Sequence, residues 1–362
     1  MVRMARYDEG LDLMDDEVTP RRKKKRGAGF FLLMACVAVL VLALGIGAFY
    51  VGRGLSAINS IDRQPDLNPV DYAGRPEAAK PKPVAPGEKE GKAPVNFVLL
   101  GSDSRGEGDG GRSDSLMVAH VSGDRQHVYL ISFPRDMWVE IPGRGKAKIN
   151  AAYAYGGPAL TVRTLEQLTG VRMDHTAQID FEGLIKLTDA LGGVTVNNPW
   201  ASSSNGHTFE AGEITISGER ALVYVRERKN LPNGDLSRAY RQRSVVKSII
   251  RQVATPETIA NPAKFSDVVG KFADSMSVDE GMTTGYIADL ASQMRITGTD
   301  GVRLLQAPIK GFATIQGQSV DVVDEPALAE LSAALAGDTM EEYYVKHQAE
   351  GQDQLGEVEP PE

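Results

Sequence analysis

The chain has 362 residues, 42% of them hydrophobic, which is enough for one large domain or two small ones with appendages. Its 40 Lys and Arg against 48 Asp and Glu leave a net charge of −8, which excludes a general nucleic-acid binder, because phosphate-backbone affinity needs a basic field. The one cysteine, Cys36, sits in an apolar run, so the rest of the chain has no thiol for a disulfide, a zinc cluster or a cysteine nucleophile.

In chain order, residues 1–26 read as a short cytoplasmic tail that ends in Arg21-Arg22-Lys23-Lys24-Lys25-Arg26. Residues 27–52 carry no charge, and about 20 such residues in a helix cross the hydrocarbon core of a bilayer. This predicts one N-terminal transmembrane helix. A cleaved signal peptide is the rival reading, but its apolar region is usually about 7–15 residues long. The basic cluster before the span keeps the N-terminus in the cytoplasm, giving a single-pass type II protein of the cell membrane with an extracytoplasmic domain. Residues 53–94 contain Pro65, Pro69, Pro76, Pro81, Pro83, Pro86 and Pro94 with few large apolar residues, and predict an extended stalk.

The globular domain is expected over residues 95–348. Strands are predicted at Val95 to Leu100, Leu116 to Val121, Val128 to Phe133, His175 to Ile179 and Val302 to Gln306. Helical periodicity marks Pro158 to Leu168, Phe181 to Leu191, Ser217 to Tyr224, Ser237 to Val253, Thr283 to Met294 and Pro326 to Leu335. The fold class expected is α/β or α+β, a central mixed β-sheet flanked by helices. Residues 349–362 are acidic and Pro-containing and predict a disordered tail.

Two groups of residues carry chemistry. Asp103 and Asp114 flank a Gly-rich stretch between two predicted strands, so the loop returns them towards each other at one sheet end. Two carboxylates and little else suit magnesium, which keeps waters and takes further ligands from a substrate phosphate. An ordinary acidic hairpin loop would look the same. On the predicted helix Ser237 to Val253 the apolar stripe, stepped back by three and four residues, reaches Gln242, Arg241 and Arg238, which therefore point inward. An inward guanidinium must be paired, and its planar fork matches phosphate or carboxylate. Asp235, Glu227 or Glu219 could be internal partners. Further arginines in similar contexts, Arg135, Arg226 and Arg228, favour an anionic ligand. The five histidines show no metal-ligand spacing, and neither a serine-nucleophile elbow nor a P-loop is present. The chemistry left is phosphoryl transfer assisted by a metal and arginines.

Seven segments, in order, resemble the LytR-CpsA-Psr family of cell-wall proteins. They are Leu99-Leu100-Gly101-Ser102-Asp103-Ser104-Arg105, Gly111-Arg112-Ser113-Asp114-Ser115, Ser132-Phe133-Pro134-Arg135-Asp136, the run from Lys148 to Gly157, Asp189 to Val194, Ala221 to Arg228, and Asp235 to Arg243. The resemblance covers about residues 95–253 and constrains residues 254–362 only loosely. It implies transfer of a secondary cell-wall glycopolymer from a polyprenyl pyrophosphate carrier to peptidoglycan. It further implies that Asp103 and Asp114 hold Mg2+, that Arg112, Arg135, Arg226, Arg228, Arg238 and Gln242 grip the pyrophosphate, and that Asp235 orients the arginines. Arg105 and Arg241 match the motifs without a definite role. The lipid tail is expected in an apolar tunnel between sheet and helices, with the helices near Pro158 and Phe181 as walls. Two alternatives stay open: a polyprenyl pyrophosphate phosphatase, which would release phosphate without moving glycan, and a non-catalytic regulator that binds the lipid carrier.

Overall fold

The run Val95–Ser102 is the central strand of a seven-stranded sheet, and its position explains why it is almost wholly apolar. Val98 and Leu100 enter the core on one face while Phe97 and Leu99 enter the core on the other, so the strand is covered on both sides. The computed structural model describes residues 50–69, 71–80, 93–102, 113–253, 255, 258, 261–296 and 301–347.

In chain order the strands are β1 (Asp62–Gln64), β2 (Val95–Ser102), β3 (Ser113–Val121), β4 (Val128–Ser132), β5 (Trp138–Ile141), β6 (Gly145–Lys148), β7 (His175–Asp180), β8 (Val194–Asn198), β9 (Ser202–Ser204), β10 (His207–Phe209), β11 (Gly212–Ile216), β12 (Met276–Asp279), β13 (Val302–Gln306), β14 (Ile309–Ile315) and β15 (Gln318–Val323). The helices are α1 (50–60), α2 (Asn150–Thr169), α3 (Phe181–Leu191), α4 (Gly218–Arg226), α5 (Asp235–Val253), α6 (Pro262–Asp274), α7 (Thr284–Gln293), α8 (Glu325–Gly337) and α9 (Met340–His347). The main sheet runs β1-β12-β7-β2-β3-β4-β13. Its pairs β1–β12, β2–β7 and β4–β13 are parallel and the others antiparallel, which is the mixed sheet expected.

Helices cover both faces. On one side Val162 and Leu165 of α2, Leu328, Leu331 and Leu335 of α8, and Met340 and Tyr343 of α9 pack on Val98, Leu100, Val118 and Ile131. On the other, α1, α5, α6 and α7 pack on Phe97, Ala119, Leu130, Ala177 and Val278. A third layer of α3, α4 and the β8–β11 hairpin closes over the outer face of α5 through Val194, Val196, Leu187, Ala221, Val225, Val245 and Ile249. The predicted start at Pro158 is visible as a kink in α2: Gly156 and Gly157 leave helical geometry, Gly157 with φ 65°, and Pro158 opens the second segment. Proline suits that position because its missing N–H has no helical partner there.

Residues 50–80 do not form the extended stalk expected of them. α1 buries Ala57 and Ile61, β1 adds a strand at the sheet edge, and Leu67 is fully covered. Arg75 is buried and reaches the equally buried Glu166 through Nε at 2.9 Å and Nη2 at 2.7 Å, and the Tyr72 hydroxyl donates to the same carboxylate at 2.7 Å. The proline count hid a few apolar anchors and one ion pair, which are enough to tie a strap down. Residues 81–92, like 1–49 and 348–362, lie outside the described residues, and with them nearly all of the predicted span and the acidic tail. Among the described residues no helix is long and apolar enough to cross a membrane.

Candidate active site

The site is built where β4 ends. The chain turns through Phe133-Pro134-Arg135-Asp136, and backbone bonds hold that turn from several sides. The Phe133 N–H donates to Leu116 O at 2.9 Å, the Met137 N–H to Pro134 O at 3.1 Å, the Asn150 N–H to Arg135 O at 3.2 Å, and the Asp321 N–H to Asp136 O at 2.9 Å. Arg135 is thereby placed against the first turn of α5. Oδ1 of Asp235 lies 3.1 Å from Arg135 Nε and 2.7 Å from Arg238 Nη2, so one carboxylate oxygen sits between two guanidinium groups. Lys148, at the end of β6, is 2.9 Å from Asp136.

Asp321 of β15 completes the group. It is buried, and burial first, then the neighbouring Asp136 and Asp235, push its carboxyl up to about 7 against the pull of Lys148 and Arg135. Three acids and three cations, Asp136, Asp235 and Asp321 with Arg135, Arg238 and Lys148, therefore nearly cancel. Additional positive charge must come from elsewhere. Arg226, half-buried at the end of α4, and Arg228, exposed two residues later, lie on the segment that leads into α5.

Two clefts meet here. The polar one is lined by Ser115, Ser132, Arg135, Asp235, Arg238 and Gln242. The apolar one, narrow and partly open to solvent, is lined by Leu99, Leu100, Met117, Ile179, Val225 and Val246. Ser115 and Gln242 belong to both, and the Gln242 amide is held by a 3.3 Å bond to Val225 O. An amphiphile with an anionic head and an apolar tail matches this pairing. The wall assignment from sequence needs correcting. The lining comes from β2, β3, β7, α5 and the end of α4, while α2 packs on the opposite face of the sheet.

Asp103, Arg105 and Arg112 lie outside the described residues, as does the Asp114 side chain. The backbone on either side is informative. Gly101 pairs with Ser115 and Ser102 with Ser113, so Asp114 is the extra residue of a β-bulge and the two loop ends lie opposite each other beside the cleft. By donor type alone, the two aspartates of this loop would suit a hard divalent cation. Among the described residues no group of three or more His, Cys, Asp or Glu could hold a metal ion.

Arg241 belongs to the packing and not to the cleft. It is fully buried, with Nη1 2.7 Å from Glu227 and Nη2 bonded to Asn198, Trp200 O and Ser202, and its guanidinium lies 4.3 Å from the Tyr224 ring centroid. The inward-pointing arginines thus divide between two partners, Glu227 for Arg241 and Asp235 for Arg238. Two histidines are also structural: His120, fully buried, sits between Asn96 and Asp338, and the partly buried His175 lies against Asp279. Sequence reasoning gave no role to Asp136, Lys148 or Asp321. The first two stand inside recognisable segments, but nothing near Asp321 in the sequence marks it, because β15 reaches the site through tertiary contacts, the β-bridge between Met137 and Asp321 among them.

The chain is similar to known proteins in sequence and in fold. Residues 68–337 match the LytR_cpsA_psr family. The polyisoprenyl-teichoic acid–peptidoglycan teichoic acid transferase TagU of Bacillus licheniformis is 31% identical over 87% of this chain and 97% of its own. TagU of Halalkalibacterium halodurans is 38% identical over 62% of this chain and 78% of its own. The crystal structure of Bacillus subtilis TagU superposes with a TM-score of 0.52 at 29% identity, covering 68% of this chain and 97% of that one. A structure of TagT bound to LI-WTA gives a TM-score of 0.57 at 25% identity, over 75% and 99%. The chain belongs to the LytR_cpsA_psr family.

Proposed function

We propose that this protein is a phosphotransferase that moves a secondary cell-wall glycopolymer from a polyprenyl pyrophosphate carrier to a hydroxyl of peptidoglycan. The observation that carries the reading is the shared wall of the two clefts: an apolar groove for a prenyl chain opens through Ser115 and Gln242 into the Arg135–Asp235–Arg238 group, where a pyrophosphate would lie. The names of relatives that transfer teichoic acid to peptidoglycan support it.

In the proposed reaction an acceptor hydroxyl attacks the glycan-bearing phosphorus, the bridging P–O bond breaks, and polyprenyl phosphate leaves. The hydroxyl proton passes to a carboxylate of the site, and the glycan ends in a phosphodiester. Arg135 and Arg238, aimed by Asp235, meet the charge that develops on the phosphoryl oxygens, and Arg112, Arg226 and Arg228 add the positive charge that the balanced inner group lacks. Mg2+, when bound by Asp103 and Asp114, supplies neutralisation of the pyrophosphate and orients it. The charge-free residues 27–52 would anchor the protein in the cell membrane with this site outside the cytoplasm.

The test is transfer of a labelled glycan from its polyprenyl pyrophosphate to peptidoglycan oligomers by the full chain in detergent with magnesium. Glycan transfer that Arg135→Ala and Asp114→Ala both abolish is the expected result. Phosphate release without transfer would make the protein a phosphatase, and carrier binding without turnover would make it a regulator.

A further inference from the structure

One cation in the core has no explanation in the site described. Arg243, next to Gln242 on α5, is 4% exposed, yet its Nε and Nη1 have no hydrogen-bond partner among the described residues. The Tyr240 ring, with its centroid 5.9 Å from the guanidinium carbon, faces it. Burial lowers its pKa to about 10, so the group still carries its charge at neutral pH. A buried cation without an acceptor is costly, and the usual resolution is a bound counter-charge.

Two other buried polar groups in the same layer are also unsatisfied. Ser132 and Gln306 are register partners on β4 and β13, and both are almost fully covered. Neither Ser132 Oγ nor Gln306 Nε2 has a partner among the described residues. Strand alternation puts them on the α5 side, because Leu130 and Leu304, two residues earlier, belong to the core beneath that helix. α5 packs on both β4 and β13, and its first turns line the polar cleft together with Ser132. Side chains on a helix lean towards its N-terminus, so Arg243 leans from its own turn towards the strand ends that carry Ser132 and Gln306. The guanidinium and the amide NH2 donate, the hydroxyl can donate, and none of these unpaired atoms meets an acceptor among the described residues.

We infer that Arg243, Gln306 and Ser132 form a buried subsite for a tetrahedral oxyanion of the phosphate class, on the floor of the polar cleft and separate from the Arg135–Asp235–Arg238 group. Its occupant is either the phosphoryl group of a prenyl phosphate, entering past Ser132, or free inorganic phosphate. The inference holds whether or not the protein transfers glycan.

The experiment is thermal unfolding of the full chain in detergent against inorganic phosphate, in an Arg135→Ala/Arg238→Ala background that disables the outer group. Phosphate should raise Tm with the logarithm of its concentration once above its Kd. Adding Arg243→Met should abolish that rise while raising Tm in phosphate-free buffer, and Gln306→Leu, a milder change, should weaken the rise if the first variant folds poorly. A water-soluble short-chain prenyl phosphate that protects at lower concentration would identify the carrier's phosphoryl group as occupant, whereas equal protection would identify free phosphate. The inference fails if the background variant shows no phosphate-dependent rise, if the rise survives both changes, or if Arg243→Met lowers Tm equally with and without phosphate, since the acceptor would then be part of the chain.

Discussion

Arg241 and Arg238 are neighbours on one turn of α5, and their surroundings could hardly differ more. Arg241 faces the β8–α4 layer, where a carboxylate, an amide oxygen, a carbonyl and a hydroxyl accept from it and an aromatic ring covers its face. Arg238 faces the cleft, where Asp235 Oδ1 lies between it and Arg135. A structural arginine completes its shell within the chain, as Arg75 also does with Glu166. An arginine kept for a ligand is oriented by the chain and left facing a space that another anion can enter.

The largest expected effect breaks the structural side of this contrast. Arg241→Ala leaves Glu227 buried without its cation and should cost about 3–5 kcal/mol in denaturant unfolding, and Arg75→Ala should do the same through Glu166. A loss below about 1 kcal/mol for either would show that water replaces the guanidinium freely. On the other side, Arg135→Ala should lower transfer kcat/KM by about 10²–10³-fold while changing stability little. An equal loss of stability would place Arg135 with Arg241.

Asp321 tests the charge balance of the site. Its carboxyl is raised by burial to about 7 in the folded protein, so the native state binds its proton more tightly than the unfolded chain does. The stability this group contributes is complete below the ordinary carboxylate range and is lost as the pH rises through about 7. Asp321→Asn should therefore match the wild type at pH 4 and exceed it at pH 8 by about 4 kcal/mol. Identical pH–stability curves for the two proteins would refute the shift. The smallest effect belongs to the apolar cleft. Val246→Ser should raise KM about threefold to tenfold for a long-chain carrier and leave a short, water-soluble analogue unchanged.

The sequence by itself determined the elements and much of the site. Alternating and continuous apolar runs mark β2, β3, β4 and β7, the 3.6-residue stripe of α5 already turns Arg238, Arg241 and Gln242 inward, and Pro158 marks the second segment of α2, because each signal is local in the chain. Tertiary structure decided what local patterns cannot encode. Which carboxylate pairs with which arginine depends on the turn of α5 that meets the Pro134 turn, and the docking of residues 50–80 depends on partners far along the chain, β12 for β1 and Glu166 for Arg75. The place of Asp321 follows from a bridge between β15 and Met137, and the unpaired donors of Arg243, Ser132 and Gln306 show only once α5 lies across β4 and β13. Periodicity reports which face of an element is buried, but only the packed chain fixes what lies opposite that face, and the cost of a buried charge depends on that neighbour.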